Sequence, residues 1–264
     1  MLTIQTVKRG TPLLVRQWSQ SVVAAGGGFT SNSLVIASRL VQVLQTKSYY
    51  PKIKYLLPLL GSGINAARVP LLDTFVVGAA TNVNFVNADF SQATGLTGDG
   101  ATKYLDLLVS PLTLGTIAGV GFWNMAVITG GDYRCGATNG GESLRYVVDL
   151  RTISERFSWG ASSNQVISGN PAIAAHYYGQ QANTSSRILY RNAISVGSNT
   201  NTDSNSPVSN TMFLMAGDIG GSPGSWATGA CGLFYMTDGS LSDGDIADFH
   251  STLSSYLMAP TGRI

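Results

Sequence analysis

The chain has 264 residues, 16 Lys and Arg against 14 Asp and Glu, a net charge of +2, and 44% hydrophobic against 11% charged residues. That balance excludes a disordered chain, which would be poor in apolar residues and rich in charge, and the lack of a basic run excludes a nucleic-acid groove. The length suits one large all-β domain or two small ones, with no need for disulfide staples, and the uncharged, Gly-rich surface suits close contact with many neighbours because little charge has to be desolvated.

At the start, Met1-Leu2-Thr3-Ile4 lacks the basic opening of a signal peptide, and no apolar stretch follows Lys8-Arg9. Pro12 to Ala25 places Leu14, Trp18, Val22 and Val23 at helical spacing and stops at Gly26-Gly27-Gly28. Ser31 or Ser33 is expected to cap a second helix, whose apolar face is Val35, Ile36, Leu40, Val43 and Leu44, before Pro51 ends it. Lys52 to Leu57 reads as a short strand. Residues 1–70 are therefore expected to form a helical arm for assembly, and residues 71–264 a β domain. The helical pair can cover a sheet of its own subunit or dock on a neighbour.

Strands are predicted near Asn82–Phe85, Tyr104–Val109, Val120–Ile128, Leu144–Leu150, Arg156–Trp159, Ile173–Tyr178, Arg187–Arg191, Thr211–Ala216 and Cys231–Met236. Turn signals every ten to fifteen residues separate them, as two packed sheets need. The uncharged segment Leu107 to Gly131 is broken by Pro and Gly, so it reads as buried strands and not as a membrane span. The polar tract Ser195 to Asn210 reads as a surface loop. Cys135 and Cys231 read as two buried thiols, although a pairing stays open. At the end, the strand Gly232–Met236 and the turn Asp238-Gly239 lead to a helix from about Leu241 to Met258. Ser242 is its expected cap and Asp245 its reciprocal partner; Ile246, Phe249, Leu253 and Leu257 share one face.

Few residues can carry chemistry. The two glutamates, Glu142 and Glu155, lie thirteen apart near turns, which argues against the paired carboxylates of a glycosidase. Gly220-Gly221-Ser222-Pro223-Gly224 satisfies Gly-x-Ser-x-Gly on paper, but Pro and Gly follow the serine where a helix should start. Two His and two Cys, widely scattered, make a poor zinc set. No cofactor is expected; calcium is the exception to keep open, with Asp218, Asp132 and Asp99 as the loop aspartates that could bind it, against the plainer reading that each stabilises its own turn. A sugar needs an aromatic plane beside planar hydrogen-bonding groups. Trp226, in a Gly/Ser loop, is one candidate platform, and His176-Tyr177-Tyr178 followed by Gln180-Gln181 is the other; alternation allows one of the two tyrosines to face outward.

Three stretches carry a resemblance. They are Val15-Arg16-Gln17-Trp18 through Gly27 with Ile53 to Gly61; Asn84 to Phe90 with Ala93 to Gly100 and Lys103-Tyr104-Leu105-Asp106; and Arg187 to Asn192 with the C-terminal strand, helix and Gly262-Arg263. Together they resemble a group of phage-associated proteins with a concanavalin-A-like, or laminin-G-like, jelly-roll domain. In that group a Tyr-Arg-Asn-Gly strand end enters a hairpin; Ala193 stands in place of the glycine here, so a different turn is expected. The resemblance implies a mainly β, two-sheet sandwich and a virion component assembled in the host cytoplasm. Its partners would be copies of itself and other virion proteins, with no nucleic acid and no membrane.

The leading expectation is thus a non-enzymatic virion structural protein. The alternative is a carbohydrate-binding module for host adhesion, with Trp226 and the His176, Tyr177, Tyr178 region as its site. A glycan hydrolase ranks third.

Overall fold

Residues 11–127, 132–169, 172–203, 205–239 and 241–264 are described by the structure, a computed structural model, with residues 132–134 described in their backbone alone. Two helices, α1 (Leu13–Ala24) and α2 (Ser31–Leu44), precede β1 (Ile53–Leu57). A short α3 (Ile64–Ala67) leads to β2 (Leu72–Asp73), β3 (Thr81–Val83), β4 (Phe90–Ser91), β5 (Gly95–Asp99) and β6 (Tyr104–Asp106). After α4 (Pro111–Leu114) come β7 (Ala118–Asn124), β8 (Asp132–Thr138), β9 (Leu144–Leu150), β10 (Glu155–Ala161) and β11 (Val166–Ile167). They are followed by β12 (Ala175–Asn183), β13 (Ser186–Arg191), β14 (Ile194–Asn199), β15 (Phe213–Leu214), β16 (Gly217–Ile219) and β17 (Ser222–Gly224). The ten-residue β18 (Thr228–Thr237) then enters α5 (Asp243–Leu253), which runs through a π turn, Ser254–Met258, into α6 (Ala259–Thr261).

The strands form two sheets. Sheet A has the order β14-β13-β12-β7-β18-β1-β2, with β5 also on β18 and β4 on β5. Sheet B has the order β11-β10-β9-β8-β15-β6-β3, with the β16–β17 hairpin lying parallel to β8 through β16. The protein is a mainly β, two-sheet sandwich with a helical layer on one side.

Alternation along each strand explains the layering. On β7, Val120 and Phe122 enter the core between the sheets, while Trp123 points to the helices. On β12, Tyr177 enters the first core and Tyr178 the second. Sheet A is therefore apolar on both faces, as a covered sheet must be. Its outer face receives Trp18, Val22, Ile36, Leu40 and Leu44 from α1 and α2, and Ile246, Phe249 and Leu253 from α5. Gly119 and Gly121 on β7 make room for this: a Cβ at either would overlap the ring of Tyr178 or of Tyr235. Lys47 and Lys52 join the covering elements, bonding to Asp248 and Asp245 of α5 at 2.9 and 3.3 Å.

These contacts correct the expected division at residue 70. Strand β1 lies inside sheet A between β18 and β2, and α1 and α2 cover that same sheet. Residues 11–70 are thus part of the sandwich, and α1 and α2 cover their own subunit. Other details also differ. Thr30, and not Ser31 or Ser33, is the cap of α2; Ser33 closes the capping box. The buried stripes are rotated, so that Val15 is buried in place of Val23, and Ala37 and Val41 in place of Val35. The α5 cap is as expected: Asp245 N–H donates to Ser242 Oγ and Ser242 N–H to the Asp245 carboxylate, each at 3.1 Å. The tract after Ser195 is a strand as far as Asn199. Further along it, Asp203 is buried in an ion pair with Arg187, Nη2 to Oδ2 3.3 Å.

The hairpin between β13 and β14 turns at Asn192 and Ala193, both at positive φ, +49° and +66°. This is the arrangement a two-residue hairpin favours, with alanine in the position that suits glycine. The expected change of turn is absent; Ala193 adopts the glycine conformation instead. Both cysteines are buried, and neither is in a disulfide. Among the described residues, no helix is long and apolar enough to cross a membrane.

Candidate functional site on the outer face of sheet B

Helices cover sheet A, so the outer face of sheet B is where short strands present side chains toward solvent. On β6, Leu105 enters the core and leaves Tyr104 and Asp106, both half-buried, on this face. Asp106 pairs with Phe213 of β15, and Phe213 with Gly136 of β8. Phe213 packs on Tyr104, centroids 4.4 Å apart, and Tyr104 on Trp226, 5.6 Å and inclined by 58°. The three rings make one aromatic shelf, with Trp226 half-exposed at its edge.

The backbone beneath is constrained. Ala227 N–H donates to the Met215 carbonyl at 2.9 Å, tying the Trp226 loop to the end of β15. The Ala227 carbonyl sits where a Cβ of Gly98 would be, so this glycine is required by close approach. Met215 and Ser225 both have positive φ, +72° and +49°. Non-glycine residues in that region store strain and gather at binding sites. Two carboxylates border the shelf. Asp106 accepts the Leu108 N–H at 2.9 Å, and Asp218 accepts that of Gly221 at 2.6 Å. Burial raises the Asp218 carboxyl above the usual range, and Asp106 adds to the rise against the Asn210 side chain and the Gly221 amide. Burial, then Asp106, then Asp218, also raise the Tyr104 phenol. Shelf and carboxylates therefore form one electrostatic unit. An aromatic plane edged by acceptors is what a pyranose, apolar on its face and rich in hydroxyl donors at its rim, can use.

The other predicted residues are placed elsewhere. His176, Tyr177 and Tyr178 are 1%, 0% and 1% exposed, so the second platform is corrected: covering both faces of sheet A leaves neither tyrosine facing outward. Tyr177 donates to Glu155 Oε1 at 3.0 Å, and Tyr178 bonds the Thr237 hydroxyl at 2.7 Å. Of the aspartates considered for calcium, Asp99 uses its carboxylate on its own turn, accepting from the amides of Ala101, Thr102 and Lys103 and the Thr102 hydroxyl. Desolvation is the largest single influence and would raise its pKa, but those bonds together outweigh it and hold the carboxyl well below the usual range. The Asp132 side chain lies outside the described residues. Among the described residues, no three His, Cys, Asp or Glu gather as a metal would require.

Glu155 is buried and paired with Arg191 at 2.7 Å, while Glu142 pairs with Arg145 at 3.0 Å. They do not form a catalytic pair. Ser222 sits in the β16–β17 hairpin of sheet B, whereas both histidines lie on the helix side of sheet A, so the Gly-x-Ser-x-Gly match has no base. A depression of about 150 Å³ is lined by Tyr146, Trp159, Gln181, Asp203 and Asn205. The carboxylate there is already engaged by Arg187, Asn205 and the Ala161 amide. Sequence reasoning found Trp226 but missed Tyr104, Phe213 and Asp106. Tyr104 and Asp106 fall in the predicted strand Tyr104–Val109, and their i, i+2 spacing is the signal that they share a face.

The sequence matches no family model and no curated protein. Solved structures do match. A mutant Trypanosoma rangeli sialidase displaying trans-sialidase activity is similar over 92% of this chain and 38% of its own, at 13% identity and TM-score 0.53. The receptor binding domain of botulinum neurotoxin C/D mosaic serotype is similar over 76% of this chain and 51% of its own, at 10% identity and TM-score 0.53. Domain 4 of AbnA, an extracellular arabinanase from Geobacillus stearothermophilus, solved with arabinotriose, covers 75% of this chain and 98% of its own, at 14% identity and TM-score 0.48. The first two share the lectin-like β-sandwich fold with this chain.

Proposed function

We propose that this protein is a carbohydrate-binding module that holds glycan on the outer face of sheet B without cleaving it. The observation that carries the reading is the Trp226–Tyr104–Phe213 shelf, in which Trp226 and Tyr104 are half-exposed and Phe213 is buried, bordered by Asp106 and Asp218 on the sheet face that no helix covers among the described residues. Trp226 and Tyr104 supply the stacking plane, and the half-buried Asp106 carboxylate accepts from sugar hydroxyls. The engaged state of the carboxyl groups supports binding without hydrolysis: both glutamates are ion-paired, and Asp218 is buried and bonded to the Gly221 amide. The virion role implied by the sequence resemblance draws no support from the structural neighbours, which include glycan-active and receptor-binding proteins.

A glycan array with the full chain tests this. Wild type is expected to label a defined set of glycans, and Trp226→Ala to weaken each by about tenfold or more, the scale of one lost stacking contact. Equal labelling by the variant overturns the site, and a blank array for wild type overturns the function. Release of reducing ends from a bound glycan overturns the non-catalytic part.

A further inference from the structure

The register of sheet B carries the same face past the aromatic shelf. Phe213 pairs with Gly136, Gly136 with Val147, and Val147 with Ser158, so one continuous row runs from β15 to β10. In the next row, on the Tyr104 side, Asp149 of β9 stands opposite Arg156 of β10. Arg145, four residues before Asp149, is on the same face. Three guanidinium groups, from Arg151, Arg156 and Arg145, act on the Asp149 carboxylate. Two of them are committed: Arg151 Nε lies 2.7 Å from Asp149 Oδ2, and Arg145 Nη2 lies 3.0 Å from Glu142 Oε2. Arg156 is committed only through Nε, which donates to Ser154 Oγ at 3.2 Å. Its terminal nitrogens, on a half-buried side chain, have no partner among the described residues. Asp149 Oδ1 is buried and unpartnered too. The carboxyl titrates near 6, raised by burial against the pull of all three arginines.

Among the described residues this corner therefore holds three arginines against two carboxylates, while the shelf end holds Asp106 and Asp218. We propose that Arg156, supported by Arg151 and Arg145, forms a second subsite that takes the anionic group of an acidic oligosaccharide whose neutral unit stacks on Trp226. The proposal rests on the carbohydrate-binding reading above. The planar fork of Arg156 suits the two oxygens of a carboxylate or a sulfate ester. The opposed charges at the two ends of the face set the direction of the chain. Four strand steps separate β6 from β10, about 19 Å, so the ligand is an oligosaccharide and not a single sugar.

Titration calorimetry with matched tetrasaccharides tests this on the full chain. One pair is oligogalacturonate and its carboxyl-reduced form; the other is a chondroitin sulfate fragment and its desulfated form. Wild type is expected to bind at least one acidic member about tenfold more tightly than its neutral match, with the gap closing as salt rises. Whichever pair shows the gap identifies carboxylate or sulfate as the anion. Arg156→Gln should close that gap without weakening the neutral ligand, Arg156→Lys should retain part of it, and Trp226→Ala should weaken both ligands. Equal affinity for acidic and neutral members in wild type, or a gap that survives Arg156→Gln, overturns the subsite and leaves the carbohydrate reading standing. Failure of all four ligands to bind overturns both.

Discussion

The two histidines of this chain, His176 and His250, are 74 positions apart, and the fold sets their Nδ1 atoms 3.0 Å from each other. His176 Nε2 lies 2.8 Å from the Tyr235 hydroxyl, and Trp123 stacks against both imidazoles. One Nδ1 donates and the other accepts, so the pair is satisfied with both rings neutral. A proton added to His176 puts hydrogens on both of its nitrogens and brings a charge into the layer between sheet A and α5. Burial, and then the facing His250, push its pKa from 6.5 down to about 3. The unfolded chain takes up the proton near 6.5, so the stability from a neutral His176 is complete above that pH. It is lost as pH falls toward the folded value. At about 1.36 kcal/mol per unit, the loss reaches about 2 kcal/mol at pH 5 and about 3 kcal/mol at pH 4. Burial lowers the pKa of His250 as well, and it acts in the same direction.

Asp149 opposes this trend. Its folded pKa of about 6 lies above the unfolded 3.8, so it adds stability as pH falls through that interval. The informative quantity is therefore the difference between proteins and not the slope of one. Urea unfolding of wild type and His176→Gln at pH 7, 6 and 5 measures it. The variant is expected to start less stable, because the Tyr235 and His250 contacts change. It should then lose about 2 kcal/mol less than wild type between pH 7 and pH 5. Parallel pH dependence in the two proteins would refute the assignment of the acid sensitivity to this pair.

Two further outcomes follow from the backbone. Ala193→Gly should stabilise the protein by about 0.5–1 kcal/mol in urea unfolding, since relief of the left-handed strain at φ +66° exceeds the entropy that glycine adds to the unfolded chain. Gly121→Ala should destabilise it by about 1–3 kcal/mol and perturb the near-UV circular dichroism of the tyrosines, because the new methyl overlaps the Tyr235 ring held under α5. Gly140→Ala, with open space around it, is the matched control and should stay within about 0.5 kcal/mol of wild type.

Local signals in the chain were enough for its class and many of its elements. The Ser242–Asp245 box and the spacing of Ile246, Phe249 and Leu253 define α5, because caps and helical faces depend on neighbours three and four residues away. Leu144–Leu150 was legible for its run of β-branched and apolar residues. Strand β8 was not: Gly136 interrupts it, and its pairing partners, β9 and β15, do the work that its own composition does not. The helical arm was legible as helices but not as part of the sandwich, since nothing within residues 1–70 shows that β1 pairs with β18, about 180 positions later.

The same division holds at the candidate site. A tryptophan between glycines and serines announces a loop, and that is a local property. Whether an aromatic faces solvent depends on which sheet face is covered, and this is set by packing between distant segments. Tyr178 and Trp226 look equally available along the chain. Helices α1, α2 and α5 close over the sheet that carries Tyr178, while the Trp226 loop joins Tyr104 and Phe213 on the sheet they leave uncovered. Sequence by itself determined many of the strands, helices and turns, because those follow from short-range periodicity and capping. Only the tertiary structure decided which faces remain open, because burial is a property of the assembled layers and of no single residue in them.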